Sequence, residues 1–170
     1  MAKDILTSVI QFFILIFFQV LILDKISLFG IATPMVYILF ILNLPTNTSR
    51  WLVLLSSFLL GISIDIFAGQ TGIHSFSSTF LGFIRPYILN LYSPTALENS
   101  SYRPNLSRLG FVHYLSYLFL LIFLHHLVCF LIGIFSFSEI FHTFLRLIFS
   151  TLSTLILILL IDLIFFRHRT

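Results

Sequence analysis

The sequence predicts an all-α fold, a polytopic bundle of membrane-spanning helices, and two observations carry that prediction. Of 170 residues, 59% are hydrophobic and 9% are charged, whereas a soluble domain carries about 25% charged residues. Several apolar runs reach the roughly 20 residues that a helix needs to cross a bilayer, and none alternates like a membrane β-strand. We therefore expect a single integral membrane domain over residues 1–170, without a separate soluble domain.

The apolar runs predict six transmembrane helices, at about residues 5–24, 32–44, 50–68, 73–92, 110–135 and 140–166. The second is short, because only about a dozen apolar residues lie between Pro34 and Pro45, which is marginal for a full span. It could be tilted, broken or re-entrant.

The positive charges favour an even number of crossings. With six spans, one side of the membrane receives Lys3, Arg50, Arg103, Arg108, Arg167 and Arg169. The other side receives only Lys25 and Arg146. Since cytoplasmic loops carry the excess of Lys and Arg, both termini of a multi-pass protein are predicted to be cytoplasmic.

A stripe of small residues predicts that the third and fourth helices form a close antiparallel hairpin. Ser57, Gly61, Asp65 and Gly69 recur every four residues, and Ser75, Thr79 and Gly82 form a similar face on the next helix. Small residues at this spacing let two helix backbones approach closely in lipid. The turn "AGQTGI" supplies Gly69 and Gly72 for the helix end and the reversal.

Asp65 lies about one turn before this reversal and His74 shortly after it, so the two residues are expected to approach one another at the outer membrane boundary. An ionised carboxylate in lipid costs about 3 kcal/mol even on insertion scales. Asp65 is therefore protonated, paired or facing a polar crevice. It is either a functional site or an interhelical hydrogen-bonding group that fixes the hairpin, and the sequence leaves both open.

Other polar residues lie in apolar segments. Arg85 precedes Pro86, and we expect it to extend to the cytoplasmic interface, with a pair to Asp162 as the alternative. The side chains of the adjacent His125 and His126 point about 100° apart on a helix, so they are not expected to coordinate the same metal ion. The residues assigned to polar packing are Gln19, His125, His126, Arg146 and Asp162, with Arg146 and Glu139 able to pair with His142 or bind a partner.

No motif predicts catalysis, a cofactor or a metal site. The nucleophile-elbow, phosphate-binding and dinucleotide-binding patterns are missing, and the six acidic residues are dispersed. Asp65 and Asp162 are predicted at opposite membrane depths, so they cannot form a protease dyad. The single cysteine, Cys129, allows no internal disulfide. The scattered cations indicate no nucleic-acid site.

The stretch "LLGISIDIFAGQTGIHSFSSTFLGFIRPYI" resembles MreD, the rod-shape-determining membrane protein of bacteria, in the form found in Bacteroidetes-like species. The family pattern of Gly-x-x-x-Asp, a Gly-rich turn and Gly-x-His is matched by Gly61, Asp65, Gly69, Gly72 and His74. The block "FIRPYI" matches through Arg85 and Pro86. The first hairpin of the family is matched through Gln19, Gly30 and Pro34. The resemblance covers essentially the whole chain.

The resemblance implies a non-enzymatic partner in the cell-elongation machinery of the inner membrane. MreD-like proteins associate with the bitopic protein MreC, and through it with MreB, RodA and a class B penicillin-binding transpeptidase that synthesise peptidoglycan. The family fold is said to be similar to substrate-binding subunits of vitamin transporters, which supplies the alternative function of binding a solute. Membrane lipid and a second copy of the chain are further possible partners, and an intramembrane hydrolase is a remote third class.

Overall fold

The computed structural model describes residues 2–26, 32–92, 102–133 and 140–165. Within them the regular secondary structure is helical. The α-helices are α1 (Ala2–Leu21), α2 (Leu39–Leu42), α3 (Arg50–Ala68), α4 (Ile73–Tyr92), α5 (Leu106–Leu109), α6 (Phe111–Gly133) and α7 (Ile140–Phe165), and 3₁₀ turns cover Leu23–Lys25 and Val36–Ile38. The all-helical class is therefore confirmed.

Four of the described helical segments are long and apolar enough to cross a membrane: Leu6–Lys25, Arg50–Ala68, Phe111–Gly133 and Phe141–Ile164. α4 has 20 residues, enough for a span, but its buried face carries serine, histidine and arginine side chains, which lower its hydropathy. Large apolar side chains are exposed along the bundle, including Phe13, Phe17 and Leu55. So much exposed apolar surface is typical of contact with lipid.

The predicted second helix, at 32–44, is not one helix. Residues 32–35 are non-helical, a 3₁₀ turn follows at Val36–Ile38, and α2 is a single α-helical turn. Every side chain from 34 to 44 is buried inside the bundle. Pro34 and Pro45 bracket too few residues for a spanning helix, and irregular backbone at membrane depth is tolerated where protein surrounds it. We call residues 32–44 the buried segment.

The buried segment runs antiparallel to α1 through the interior. At its start, the amide of Val36 donates to Gln19 Oε1, near the end of α1, at 2.9 Å. Near its finish, the carbonyl of Asn43 accepts from Arg103, whose guanidinium also contacts Ser8 near the start of α1. Gln19 and Ser8 are 11 residues apart, so the segment advances roughly 16 Å along the helix axis.

The bundle thus has two ends, which we name by the residues that lie there. The Arg50 end holds the start of α1, the turn at 44–49 and the loop at 102–105, where the amide of Thr46 donates to the carbonyl of Tyr102 at 2.9 Å. The His74 end holds the end of α1, the α3–α4 turn, the end of α6 and the start of α7, which line one crevice.

Candidate functional site

Among the described helices, α3 and α4 form the most extensive pairing, and Ser57, Gly61 and Gly82 of the predicted small-residue stripes lie at their interface. Ser57 and Gly61 are buried between the two helices. A Cβ atom added to Gly61 would lie 2.4 Å from the carbonyl oxygen of His74 and 2.5 Å from the Cα atom of Ser75. Since both neighbours are backbone, glycine is required there for this approach of α3 and α4.

The turn between the helices also depends on glycine. Gly69 ends α3 with φ at 65°, and Gly72 precedes α4 with φ at 86°. Residues with side chains rarely adopt this left-handed conformation. In the turn, the amide of Gln70 donates to the carbonyl of Asp65 at 2.9 Å. The turn thereby brings the start of α4 back against the last turns of α3.

Asp65 caps the first turn of α4 from the neighbouring helix. Its Oδ1 accepts from the amide of His74 at 3.0 Å, and its Oδ2 accepts from the amide of Ser75 at 2.8 Å. The Ser75 hydroxyl also donates to Oδ2. The first N–H groups of a helix have no partner within it, and the helix dipole favours a negative charge there. The side chain is only 3% exposed, so this arrangement compensates a buried carboxylate.

Asp65 and His74 are therefore close, as predicted, but the bond joins the carboxylate to the backbone of His74. The imidazole of His74 instead contacts the buried segment, with Nδ1 2.8 Å from the Tyr37 hydroxyl. The same hydroxyl lies 3.1 Å from His125 Nε2. A tyrosine hydroxyl can donate only once, so one ring accepts its proton and the other ring donates to its oxygen. Tyr37 thus links the buried segment to α4 and α6.

Cys129 completes this buried polar cluster. Its Sγ lies 3.9 Å from Nδ1 of both His74 and His125, at the limit of a hydrogen bond to sulfur. All four side chains of the Tyr37–His74–His125–Cys129 cluster are buried. Within the described ranges, no three histidine, cysteine or acidic side chains are placed to hold a metal ion.

His126 belongs to a separate chain of hydrogen bonds. Its Nδ1 lies 2.9 Å from the carbonyl of Ile122, so Nδ1 carries the proton and donates. Its Nε2 is then the acceptor for the Thr154 hydroxyl, at 3.3 Å. Thr154 Oγ1 in turn accepts the amide of Met35 at 3.0 Å. The adjacent histidines therefore bond in different directions, as their spacing predicted.

Gln19 and Ser150 satisfy the remaining backbone of the irregular stretch. Besides accepting from Val36, Gln19 donates from Nε2 to the carbonyl of Pro34 at 3.0 Å and to Asp24 at 2.7 Å. The amide of Thr33 donates to Ser150 Oγ at 3.0 Å. The side chains of α1 and α7 thus replace the helical hydrogen bonds that this stretch lacks.

Arg85 neither extends to the interface nor pairs with Asp162. It is 3% exposed, and its Nη2 donates to the carbonyl of Leu44 and, at 3.4 Å, to that of Leu42. Leu42 ends α2 and Leu44 follows it, where carbonyls have no helical donor. The carbonyl of Leu42 also accepts from the Tyr117 hydroxyl at 3.1 Å. Asp162 accepts instead from the hydroxyl of Tyr114. Tyr114 lies near the start of α6, so Asp162 is at the Arg50 end, remote from Asp65.

An open crevice of about 780 Å³ lies at the His74 end. Its polar and charged lining residues are Gln19, Asp24, Lys25, Thr33, Gln70, Thr71, His74, Cys129, Thr143 and Arg146. Arg146 is exposed in this lining, and His142, one turn earlier on α7, is also exposed. Glu139 and Gly30 lie outside the described residues. The crevice is therefore lined by both acidic and basic side chains, those of Asp24, Lys25 and Arg146, and it reaches the buried His74 and Cys129.

Four residues of the site were not predicted from the sequence: Tyr37, Ser150, Thr154 and Cys129. Tyr37 had one available signal, because a hydroxyl within an apolar run at membrane depth requires a partner. Its partners lie 37 and 88 positions away, and nothing local identifies them.

Comparisons of the chain with protein-family models, with curated proteins and with solved structures find no match.

Proposed function

We propose that this chain is a non-enzymatic membrane scaffold of a bacterial cell-elongation complex, acting through an MreC-like bitopic protein. The observation that supports the proposal is that the Asp65 carboxylate caps the neighbouring helix α4. Both of its oxygens are occupied by the first turn of α4, at 2.8–3.0 Å from the two amides. The residues on which the resemblance to MreD rests thus hold a hairpin together, which is a role suited to a scaffold.

The remaining polar motif residues have similar internal roles. Gln19 bonds the backbone of the buried segment, and Arg85 bonds its end. The histidine rings of the Tyr37–His74–His125–Cys129 cluster share one hydroxyl. Because these polar side chains are hydrogen-bonded to other parts of the bundle, they favour a rigid, preorganised structure. We infer that the bundle presents fixed outer surfaces to MreC and, through it, to MreB, RodA and the transpeptidase that control cell shape.

The proposed setting is the bacterial inner membrane with six crossings and cytoplasmic termini. The five long helices, α1, α3, α4, α6 and α7, would each cross the membrane once. The buried segment would make the sixth crossing, because it connects the two ends of the bundle through the protein interior. The supporting observation is the separation of Arg50, Arg103 and Arg108 at one end from Lys25 and Arg146 at the other. An excess of cations at one end is typical of the cytoplasmic side.

The test is a pull-down of the tagged full chain from gently solubilised native membranes, with mass spectrometry of the bound proteins. Recovery of an MreC-like bitopic protein is expected, with or without the elongation synthase. A matched preparation of the Gly61→Leu variant, whose hairpin cannot close, should recover much less of it. If the wild-type chain recovers no bitopic partner and no elongation protein, the scaffold proposal is wrong.

A second candidate is a solute-binding subunit of a vitamin-type transporter. The crevice of about 780 Å³ favours it, because the volume suits a small molecule and its lining supplies both charges and hydrogen-bonding groups. In the same pull-down, recovery of an ATPase-containing transport module would support this candidate. The crevice would then be the expected solute site.

A further inference from the structure

A second groove, of about 270 Å³, lies between α3 and α4 at the Arg50 end. Its lining includes Thr48, Arg50, Trp51, Arg85 and Tyr87. Two of the lining residues are arginines, and no acidic residue is among the described residues that line it. The groove is therefore a cationic site that lies outside the polar clusters described above.

Arg85 is the unusual member of this lining. It is almost completely buried, yet none of its described contacts is with a carboxylate, because its guanidinium meets the carbonyls of Leu42 and Leu44 and the hydroxyl of Tyr117. Its Nε is buried and has no hydrogen-bond partner among the described residues. A buried charge normally has an ionic partner. The groove beside Arg85 is where an anion from outside the chain could supply one.

The mouth of the groove has the features of a membrane boundary. Arg50 begins α3, and its guanidinium lies 5.9 Å from the centre of the Tyr87 ring. Trp51 is 83% exposed beside it. Tryptophan and tyrosine are enriched at the level of lipid headgroups, where basic residues also gather. Large apolar side chains, including Leu55 and Phe83, are exposed on the two helices that form the groove.

We propose that this groove binds the phosphate of an anionic membrane lipid. Arg50 provides a charge at the mouth, Arg85 provides one at the buried wall, and the acyl chains lie along the exposed faces of α3 and α4. Two cations without a lining carboxylate select a phosphate, and the adjoining apolar surface selects a phosphate that carries acyl chains. The inference does not depend on the scaffold role, and either function is compatible with it.

Trp51 allows a direct test, because it is the only tryptophan in the chain. The full chain is placed in phosphatidylcholine nanodiscs that contain increasing fractions of brominated phosphatidylglycerol, and quenching of Trp51 fluorescence is measured. Brominated phosphatidylcholine measures the contact of Trp51 with bulk lipid. We expect quenching by the anionic lipid to saturate at a lower fraction than quenching by the zwitterionic lipid.

Arg50→Gln is the informative variant, because Arg50 is exposed and its loss should leave the fold intact. Arg85 also donates to backbone carbonyls, so its substitution would affect folding as well as lipid binding. It should weaken the apparent affinity for the anionic lipid about fivefold, the size expected for one cation at an anionic surface. Arg108→Gln removes another exposed arginine at the same end, outside the groove, and should leave the affinity unchanged.

Three results would overturn the proposal. Equal quenching by the two lipids would mean that the groove does not select an anionic headgroup. An equal loss of affinity in Arg108→Gln would mean that only the overall surface charge matters. A saturable response of Trp51 to inorganic phosphate in phosphatidylcholine nanodiscs, without any lipid preference, would assign the groove to a soluble phosphate compound.

Discussion

At the scale of single residues, Asp65 combines two roles that a sequence cannot separate, because it is both a buried charge and a helix cap. The two carboxylate oxygens accept from different amides, those of His74 and Ser75. An amide side chain of the same shape can accept at only one of these positions. The contribution of Asp65 to stability should therefore be lost on an isosteric change.

We expect Asp65→Asn to lower the free energy of unfolding by about 1–3 kcal/mol, the cost of leaving a buried hydrogen-bonding group unsatisfied. The measurement is thermal unfolding of the purified chain in detergent. Asp24→Asn is the control, because Asp24 is exposed and its Oδ1 acceptor for Gln19 is retained by asparagine. Equal stability of both variants and the wild type would contradict the capping role.

The larger change Asp65→Ala should disrupt folding or assembly of the complex rather than abolish a turnover. All three donors from His74 and Ser75 would lose their acceptor. We expect much less of the MreC-like protein to be recovered with this variant. A variant that remains folded and retains its partners would show that Asp65 does not have this role.

Gly61 gives a steric test of the same hairpin. An added methyl group would lie 2.4 Å from a backbone oxygen, so α3 and α4 would have to separate. We expect Gly61→Ala to destabilise the protein by about 1–3 kcal/mol, as overpacking of a well-packed interior usually does. Gly133→Ala, whose added atom would lie 4.0 Å from the nearest side chain, should be tolerated in the same unfolding assay.

The hairpin was largely predictable because its determinants are local. Gly61, Asp65 and Gly69 recur at helical spacing, and this spacing indicates a shared face. The partner of the His74 ring was not predictable, because Tyr37 is hidden in an apolar run. Arg85 was placed at the interface because arginines usually reach water, but its bonds to the carbonyls of Leu42 and Leu44 hold it inside.

At the scale of elements, the buried segment differs most from the prediction. The short apolar run left a tilted, broken or re-entrant second span open, but the acceptors that stabilise the broken form belong to distant helices. Ser150 and Thr154 act from α7, more than 100 positions away. Only Gln19 is close enough in sequence to have suggested a contact.

Gln19→Leu tests whether side chains support this segment. The change removes the acceptor for Val36 and the donor to Pro34, both in buried positions. With about 1–3 kcal/mol for each unsatisfied group, the loss in stability should exceed that of Asp65→Asn. Gln70→Leu is the control, since Gln70 is exposed in the α3–α4 turn. Equal unfolding temperatures for the two variants would show that Gln19 is dispensable.

At the scale of the whole molecule, the proposed crossing count depends on α4 and on the buried segment. Four helices qualify as spans by hydropathy, and six crossings require α4 and the buried segment as well. Both counts are even, so both place the termini on the same side. A reporter fused after Thr170 should be cytoplasmic in either case, and periplasmic labelling there would contradict both.

Internal cysteines distinguish the two counts. In a Cys129→Ser background, which has no other thiol, Gln70→Cys places a single exposed thiol just before α4, at the His74 end, and Ser107→Cys places one in α5, at the Arg50 end. With six crossings, a membrane-impermeant maleimide should label Gln70→Cys in intact cells and Ser107→Cys only after the membrane is opened. Without a crossing at α4, both positions would be cytoplasmic and protected. That result would also contradict the six-crossing proposal. If the α3–α4 turn is cytoplasmic, α3 begins on the side of the membrane where α1 ends, and the buried segment between them does not cross.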